Sequence, residues 1–236
     1  MNERYARQES LLGAGGQEKL GNSTVFIAGA GGLASPVSFY LTAAGIGNIR
    51  IADLDVIELS NMNRQILHTE DRIGTSKAES AKKTLEALNS ECNVTAFTEK
   101  IDAASVRRLI GDADIIMDCM DNFAARYVLN RFALEEGIPL MHGAIAGFTG
   151  QATLIIPGKT PCLACIFPDV KTTAKTPVLG SVAGVIGSIQ AGEAIKYLTG
   201  TGTTLAGRLL LYDGAVNSMD TFTVKKSPRC PVCTTL

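Results

Sequence analysis

The feature that most constrains the fold is a glycine-rich loop that joins a strand-like run to a helical segment. Gly29-Ala30-Gly31-Gly32-Leu33-Ala34 follows the apolar residues 24–28 and precedes a helical pattern over residues 35–44. In such a loop the first glycine permits a tight turn and the second lets the backbone approach a phosphate group, while Ala34 lets helix and strand pack closely. The sequence therefore predicts a strand–loop–helix unit of a parallel sheet that binds a nucleotide.

The same alternation of strands and helices continues and predicts one α/β domain over residues 1–236. We expect a Rossmann-like, doubly wound sheet that is parallel in the N-terminal part and mixed toward the C-terminus. Predicted strands are residues 24–28, 49–52, 93–98, 115–119, 140–144, 152–156, 208–212 and 221–224, and predicted helices are residues 8–20, 35–44, 77–88, 104–111, 122–136 and 182–198. Residues 1–158 form the predicted nucleotide-binding half, and residues 159–236 form a second half.

The composition argues against some classes of partner. With 22 basic and 23 acidic residues, the net charge of −1 gives no support for a broad nucleic-acid or membrane surface. The N-terminus lacks the apolar stretch of a signal peptide. The most apolar region, residues 138–157, is interrupted by polar residues and glycines and does not predict a membrane span. We expect a cytoplasmic protein.

An acidic residue follows the second strand at the distance expected for a nucleotide site. Asp53 comes directly after residues 49–52, where a carboxylate can bind ribose hydroxyl groups; the alternative is a residue that caps the strand end. Arg64 and Lys77, close behind Asn61, then add more positive charge than a dinucleotide needs. Each alone would be an ordinary surface residue, but together they favour a triphosphate, since arginine binds two phosphate oxygens and lysine supplies a compact charge.

A second polar segment, Asp118-Cys119-Met120-Asp121-Asn122, follows the predicted strand that begins at residue 115. The carboxyl ends of the strands face the ligand crevice in a doubly wound sheet. A carboxylate at this place can hold Mg²⁺ against phosphate oxygens. The equally supported alternative is a turn in which Asp121 or Asn122 caps the next helix.

Four of the six cysteines form two Cys-x-x-Cys pairs, Cys162 with Cys165 and Cys230 with Cys233. Each pair offers two thiolates in one turn, and four thiolates complete a closed, structural zinc site. A redox-active dithiol is the competing interpretation. Cys92 and Cys119 are expected to be small buried apolar residues, and His68 and His142, which have no motif partner, are expected to be structural.

Together these motifs resemble the ThiF/MoeB/HesA family, the bacterial relatives of ubiquitin-activating enzymes that act as adenylyltransferases of sulfur-carrier proteins. The matching elements are Arg4-Tyr5-x-Arg7-Gln8, Gly29-x-Gly31-Gly32-Leu33, Asp53-x-Asp55, Ser60-Asn61-x-Asn63-Arg64-Gln65, Lys77, Asp118-Cys119-x-Asp121-Asn122, Gly184-Val185-Ile186-Gly187-Ser188 and both cysteine pairs. They cover nearly the whole chain.

The resemblance implies ATP-dependent adenylation of the C-terminal Gly-Gly carboxylate of a ubiquitin-like sulfur-carrier protein, giving acyl-AMP and pyrophosphate. It implies that residues 159–236 bind the carrier, that the active form is a homodimer, and that a sulfurtransferase or a cysteine desulfurase is a further partner. The implied catalytic residues are Arg7, Arg64, Lys77 and Asp121, and the implied nucleotide site comprises Gly29, Gly31, Gly32, Leu33, Asp53, Asp55, Asn61, Arg64, Lys77, Asp121 and Asn122. In these roles Asp53 holds the ribose, and the phosphates are held by Asn61, Arg64 and Lys77. Asp121 holds Mg²⁺, and Arg7 reaches the neighbouring subunit's site.

One position departs from the family pattern. Many members carry a cysteine in the loop after the first cysteine pair, where this chain has Thr173. A threonine hydroxyl stays protonated at neutral pH and forms no acyl-disulfide or persulfide. The alternatives to sulfur-carrier activation are adenylation of another carboxylate, such as a peptide terminus or a modified tRNA base, an NAD-dependent oxidoreductase, and a zinc-stabilised scaffold without turnover.

Overall fold

The computed structural model describes residues 3–13, 15–170 and 176–233, in which eight strands form one sheet. The strands are β1 (Thr24–Ala28), β2 (Asn48–Ala52), β3 (Asn93–Phe97), β4 (Ile115–Asp118), β5 (Leu140–Ala146), β6 (Thr149–Ile155), β7 (Arg208–Asp213) and β8 (Ser218–Thr223). Their order across the sheet is β3-β2-β1-β4-β5-β6-β7-β8. The neighbouring strands β3, β2, β1, β4 and β5 run parallel to one another. The pairs β5–β6, β6–β7 and β7–β8 are antiparallel. The predicted change from a parallel to a mixed sheet is confirmed.

Helices connect the strands of the parallel half and lie on both of its faces. They are α1 (Ala6–Leu12), α2 (Gly16–Asn22), α3 (Ala34–Ala44), α4 (Lys77–Leu88), α5 (Val106–Ile110), α6 (Phe123–Glu136), α7 (Leu163–Ile166) and α8 (Gly180–Thr199). The single helix predicted over residues 8–20 is wrong, because Gly13 and Gly15 have φ angles of +73° and +72°, which a right-handed helix does not allow. No described helix has both the length and the apolar character needed to cross a lipid bilayer.

The central strands are buried on both faces. On β1, Val25 and Ile27 belong to an apolar cluster with α3, α4 and α8, whereas Phe26 and Ala28 belong to a second cluster with α5, α6 and α7. All four side chains are fully buried, as expected for a parallel sheet covered by helices. The antiparallel edge is different, since every residue of β8 is exposed.

Close packing of α8 on α3 fixes the position of the glycine loop. A methyl group on Gly187 of α8 would lie 2.4 Å from Cγ of Pro36 and 2.6 Å from the carbonyl oxygen of Leu33. Only a residue without a side chain permits this approach. Because Leu33 ends the glycine loop and Pro36 lies in the first turn of α3, the contact holds both against α8.

We expect Gly187→Ala to lower the free energy of unfolding by about 1–3 kcal/mol, because the added methyl group overpacks this contact. Gly184→Ala and Gly192→Ala are matched controls on the same helix, where a methyl group would have no neighbour within 4 Å. These two changes should raise the free energy by up to about 1 kcal/mol through helix propensity. Urea unfolding measures all three, and equal effects at the three sites would contradict the proposed role of the contact.

Candidate functional site

The candidate site lies where the chain changes direction across the sheet. After β1 the chain adds β2 and β3 on one side, then returns to place β4 on the other side of β1. The loops that follow β1 and β4 therefore flank a crevice at the carboxyl ends of these strands, the place where doubly wound sheets bind ligands. The two loops meet at Gly29, where φ is +94° and a methyl group would lie 3.1 Å from the carbonyl oxygen of Cys119.

Asp53 is bonded directly to the glycine loop. Its Oδ2 accepts a hydrogen bond from the backbone N–H of Ala30 at 2.7 Å, and its Oδ1 accepts one from the N–H of Asp55 at 2.8 Å. Burial raises the pKa of Asp53, while these two donors and the charge of Lys77 oppose the rise. The carboxylate thus caps the strand end, as the alternative interpretation holds, and it does so at the edge of the crevice. Its ribose role stays a prediction.

Lys77 faces the same edge of the crevice. It is the first residue of α4, its side chain is only 8% exposed, and its Nζ lies 3.0 Å from Oδ2 of Asp55. The Asp55 side chain is 69% exposed. The enclosed lysine is therefore paired with a solvent-facing carboxylate, a partner that an incoming anion can replace.

Arg64 lies against the glycine loop. A methyl group on Gly32 would be 3.4 Å from Cγ of Arg64, and the guanidinium donates to the backbone carbonyl of Ser60 at 2.9 Å. The turn that carries Arg64 is held by Asn61, whose Oδ1 accepts from the N–H of Glu58 at 3.1 Å. The structure thus places Arg64 against the glycine loop, on a turn that Asn61 stabilises, and Lys77 beside the carboxylate that follows β2.

Gln65 is a neighbour of this loop, and the motifs assign no separate role to it. It is 5% exposed, and its Nε2 would lie 3.5 Å from a methyl group on Gly31. Within the described residues its Oε1 is buried without a hydrogen-bond partner. A buried acceptor is rarely left unpaired, so this oxygen fits a site that is completed by a ligand.

For the loop after β4, the sequence left two interpretations open, a carboxylate that holds Mg²⁺ and a residue that caps the next helix. Asn122 is a helix cap, since its Oδ1 accepts from the N–H of Ala125 at 2.9 Å at the start of α6. Asp121 is exposed, and its Oδ1 accepts from the Asn122 side chain at 3.3 Å. Its carboxylate faces solvent beside the crevice, and the magnesium role stays a prediction.

Two predicted site residues do not join this group through their side chains. Leu33 is 4% exposed and packs in the apolar core, so only its backbone borders the crevice. Arg7 is exposed on α1, which is anchored where Nε2 of Gln8 donates to the carbonyl of Ala44 at 2.7 Å. Ala44 ends α3 at the opposite end from the glycine loop, and 11 residues of helix span about 16 Å. Thr173 lies outside the described residues.

A buried ionic cluster supports the loop after β4, and no sequence motif indicates it. Asp118 and His142 stand opposite each other on the parallel strands β4 and β5, and Nδ1 of His142 lies 2.7 Å from Oδ2 of Asp118. Nε of Arg126 lies 3.8 Å from the other oxygen, and the same guanidinium donates to the carbonyl of Met120. Burial opposes ionisation of Asp118, but Arg126 and His142 outweigh it and lower its pKa. His142 is structural, as expected.

The four cysteines of the two pairs come together. Their sulfur atoms all lie within 4.8 Å of one another, with 3.8 Å between Cys162 and Cys165, 3.5 Å between Cys162 and Cys230, and 3.3 Å between Cys165 and Cys233. A tetrahedral zinc site with Zn–S bonds of about 2.3 Å places its sulfurs about 3.8 Å apart. Burial raises the pKa of Cys162 to about 11, so a cation is needed to hold it as a thiolate. The cluster fits a closed zinc site.

Comparisons with known proteins agree with this geometry. Residues 5–232 match the sequence model of the ThiF family. The chain is 42% identical over 239 residues to the SAMP-activating enzyme E1 of Haloferax volcanii, covering 98% of this chain and 88% of that protein. It is 40% identical over 244 residues to the sulfur carrier protein adenylyltransferase of Thermus thermophilus, covering 98% and 90%. A crystal structure of E. coli MccB with ATP superposes with a TM-score of 0.87 at 27% identity, covering 99% of this chain and 74% of that one.

For the cysteine cluster, we expect about one zinc ion per chain in protein purified without chelator. Cys162→Ser should remove the metal and lower the midpoint of thermal unfolding, because the three remaining thiols no longer form a closed site. Cys92→Ala removes a thiol outside the cluster and should keep the zinc. Elemental analysis of the three proteins measures the metal, and wild-type protein without zinc would contradict the assignment.

Proposed function

The chain belongs to the ThiF family, and we propose that it uses ATP to adenylate the C-terminal carboxylate of a ubiquitin-like sulfur-carrier protein that ends in Gly-Gly. The names of the relatives from Haloferax volcanii and Thermus thermophilus support an adenylyltransferase that acts on such carriers. The match extends over 98% of this chain in both cases. The NAD-dependent oxidoreductase has no support of this kind.

The observation that carries the proposal is the convergence of two cations on one glycine loop. Arg64 lies against Gly32, and Lys77 is held at the neighbouring strand end by Asp55. A triphosphate brings about twice the charge of a pyrophosphate into the crevice, and its removal from water requires cations with matching hydrogen-bond donors. In the proposed complex the phosphates replace Asp55 as the partner of Lys77, and Asp53 accepts from the ribose.

The proposed reaction needs no covalent intermediate on the protein. A carboxylate oxygen of the carrier attacks the α-phosphorus of ATP, the bond from that phosphorus to the bridging oxygen breaks, and pyrophosphate leaves with the bonding electrons. The protein positions the two reactants and offsets the charge that develops on the phosphates. Asp121 supplies a hard oxygen ligand of the kind that Mg²⁺ binds, and the ion would neutralise phosphate charge.

We propose a homodimer in which Arg7 completes the partner's site. On its own chain Arg7 lies toward the far end of α3 from the glycine loop, exposed, and it forms no hydrogen bond or ion pair with another described residue. An arginine supplied by a second subunit can stabilise charge in a phosphate reaction strongly. This arrangement supports a role between subunits and not within one.

The zinc-bearing half, residues 159–236, is the proposed carrier-binding region. Leu211, Met219 and Phe222 on β7 and β8 are 39%, 50% and 53% exposed, and an exposed apolar surface of this kind suits a protein partner. With Thr173 near the usual cysteine position, we propose that the acyl-AMP passes directly to a sulfurtransferase or cysteine desulfurase that supplies the sulfur.

The proposed activity predicts ATP–pyrophosphate exchange that depends on a ubiquitin-like protein from the same organism with a free C-terminal Gly-Gly. Lys77→Ala should lower the exchange rate by about 10²–10³-fold, because it removes a preorganised charge from the phosphates. Lys82→Ala is the control, since this lysine lies on the same helix and pairs on the surface with Glu86. Absence of exchange with every such carrier, together with tight NAD binding, would refute the proposed function.

The proposed dimer predicts complementation between two inactive variants. Arg7→Ala and Arg64→Ala homodimers should each lose exchange activity, because every site lacks one arginine. Mixed dimers formed by unfolding and reassociating the two variants contain one site with both arginines, so random pairing should restore about a quarter of wild-type activity. Mixtures that stay inactive although mixed dimers form would exclude the role of Arg7 between subunits.

A further inference from the structure

Two consecutive carbonyl groups of the glycine loop are bonded to side chains on the protein side. The carbonyl oxygen of Ala30 lies 2.8 Å from Nε2 of His68, and that of Gly31 accepts from Oγ of Ser35 at 2.9 Å. In a trans peptide the C=O and the following N–H point in opposite directions. His68 therefore sets the direction of the Gly31 N–H, and Ser35 sets that of the Gly32 N–H.

The hydrogen bonds of His68 indicate which ring nitrogen carries the hydrogen. A carbonyl oxygen can only accept, so Nε2 carries the hydrogen, and Nδ1 of the neutral ring accepts from Oγ of Ser80 at 3.0 Å. His68 is 3% and Ser80 2% exposed. The charged groups that face the ring are Lys77 and Arg72, and burial together with these charges lowers the pKa of His68. The imidazole is thus a neutral hydrogen-bond bridge at physiological pH.

The other end of this bridge lies on the helix that carries Lys77. Ser80 follows Lys77 by three residues on α4, which places it one helical turn further along. The chain next to His68 is attached to the same helix, because Oγ1 of Thr84 donates to the carbonyl of Leu67 at 2.9 Å. His68 thereby joins the glycine loop to the element that positions the lysine.

Ala30 is held from both sides by these contacts. Its N–H donates to Asp53, and its carbonyl accepts from His68. The residue itself is fully buried, so loss of the histidine would leave its carbonyl without a partner and without water. A buried carbonyl in that position favours rotation of the peptide toward another donor.

We infer that His68 is a positioning residue for nucleotide binding: as the neutral Nε2–H tautomer, it orients the Ala30–Gly31 peptide so that the Gly31 N–H points toward the crevice, and it fixes the distance between the glycine loop and Lys77. The inference rests on the proposed function, because ATP is the ligand whose phosphates would receive these groups. In this role one ring nitrogen of His68 orients one peptide plane of the glycine loop.

The first test compares ATP binding by His68→Gln and His68→Leu with the wild type, using isothermal titration calorimetry with Mg²⁺ present. Glutamine can place its amide N–H where Nε2 lies, so its Kd for ATP should stay within about threefold of the wild type. Leucine has similar volume and no donor, so its Kd should rise about tenfold or more, the equivalent of one lost hydrogen bond. Wild-type affinity in a folded leucine variant would overturn the inference.

The second test is independent of ATP. The chain has two histidines, so ¹⁵N NMR resolves both imidazole rings, and the His68→Gln spectrum assigns them. His68 should be the neutral Nε2–H tautomer at pH 7 to 8, and the Gly31 amide signal should move in His68→Leu and much less in His68→Gln. A cationic ring or an Nδ1–H tautomer at pH 7 would refute the inference, as would an unmoved Gly31 signal.

The two tests also separate this inference from the proposed function. A wild-type protein that binds no ATP removes the proposed function, while the tautomer and the Gly31 signal still decide whether His68 orients the loop. If His68→Leu does not fold, Ser80→Ala replaces it. That change removes the donor to Nδ1 but leaves the Nε2–H bond to the Ala30 carbonyl, so the Nε2–H tautomer should persist while the ring loses its attachment to α4 and the Gly31 signal moves. An Nδ1–H tautomer or an unmoved Gly31 signal would refute the inference.

Discussion

The buried carboxylate of Asp118 is the interaction on which the rest of the site depends. It lies at the end of β4 with no exposure to solvent, bonded to His142 of β5 and attracted by Arg126 of α6. Its backbone carbonyl accepts from Gln190 of α8 at 3.0 Å. Removal of one partner from such a buried ionic group costs about 3–5 kcal/mol. Asp118 thus joins two strands and two helices at the base of the crevice, through its carboxylate to His142 and Arg126 and through its backbone carbonyl to Gln190.

The helix α6 also connects the crevice to the part of the chain that contains the four-cysteine cluster. Arg126 begins the path at Asp118, and one turn later Asn130 accepts from the N–H of Leu163 through its Oδ1 at 2.8 Å. Tyr127 donates to the carbonyl of Phe167 at 2.6 Å. α6 therefore connects the segment that contains the first cysteine pair to the loop that contains Asp121.

The sequence predicted those features whose signal is local. The glycine loop and the spacing to Asp53 are recognised from residues close together in the chain. The two cysteine pairs are recognised because cysteine has few structural uses. The bonds from His142 to Asp118 and from His68 to Ala30 were not predictable, because their partners are 24 and 38 residues apart and neither pair has a motif. The His142–Asp118 bond can be identified only when the register of β4 and β5 is known, and the His68–Ala30 bond only when the path of the loop that carries His68 is known.

The cysteine cluster has a consequence for the order in which the chain can fold. The first pair lies before α8, β7 and β8 and the second pair after them, so the cluster encloses the antiparallel edge of the sheet. During synthesis the residues of the crevice, up to Asn122, leave the ribosome long before Cys233 does. At about 5–20 residues per second, the wait between the two cysteine pairs lasts several seconds. The loops of the crevice and the helix α8 that packs against them can therefore assemble before Cys230 leaves the ribosome, and the cluster can close only afterwards.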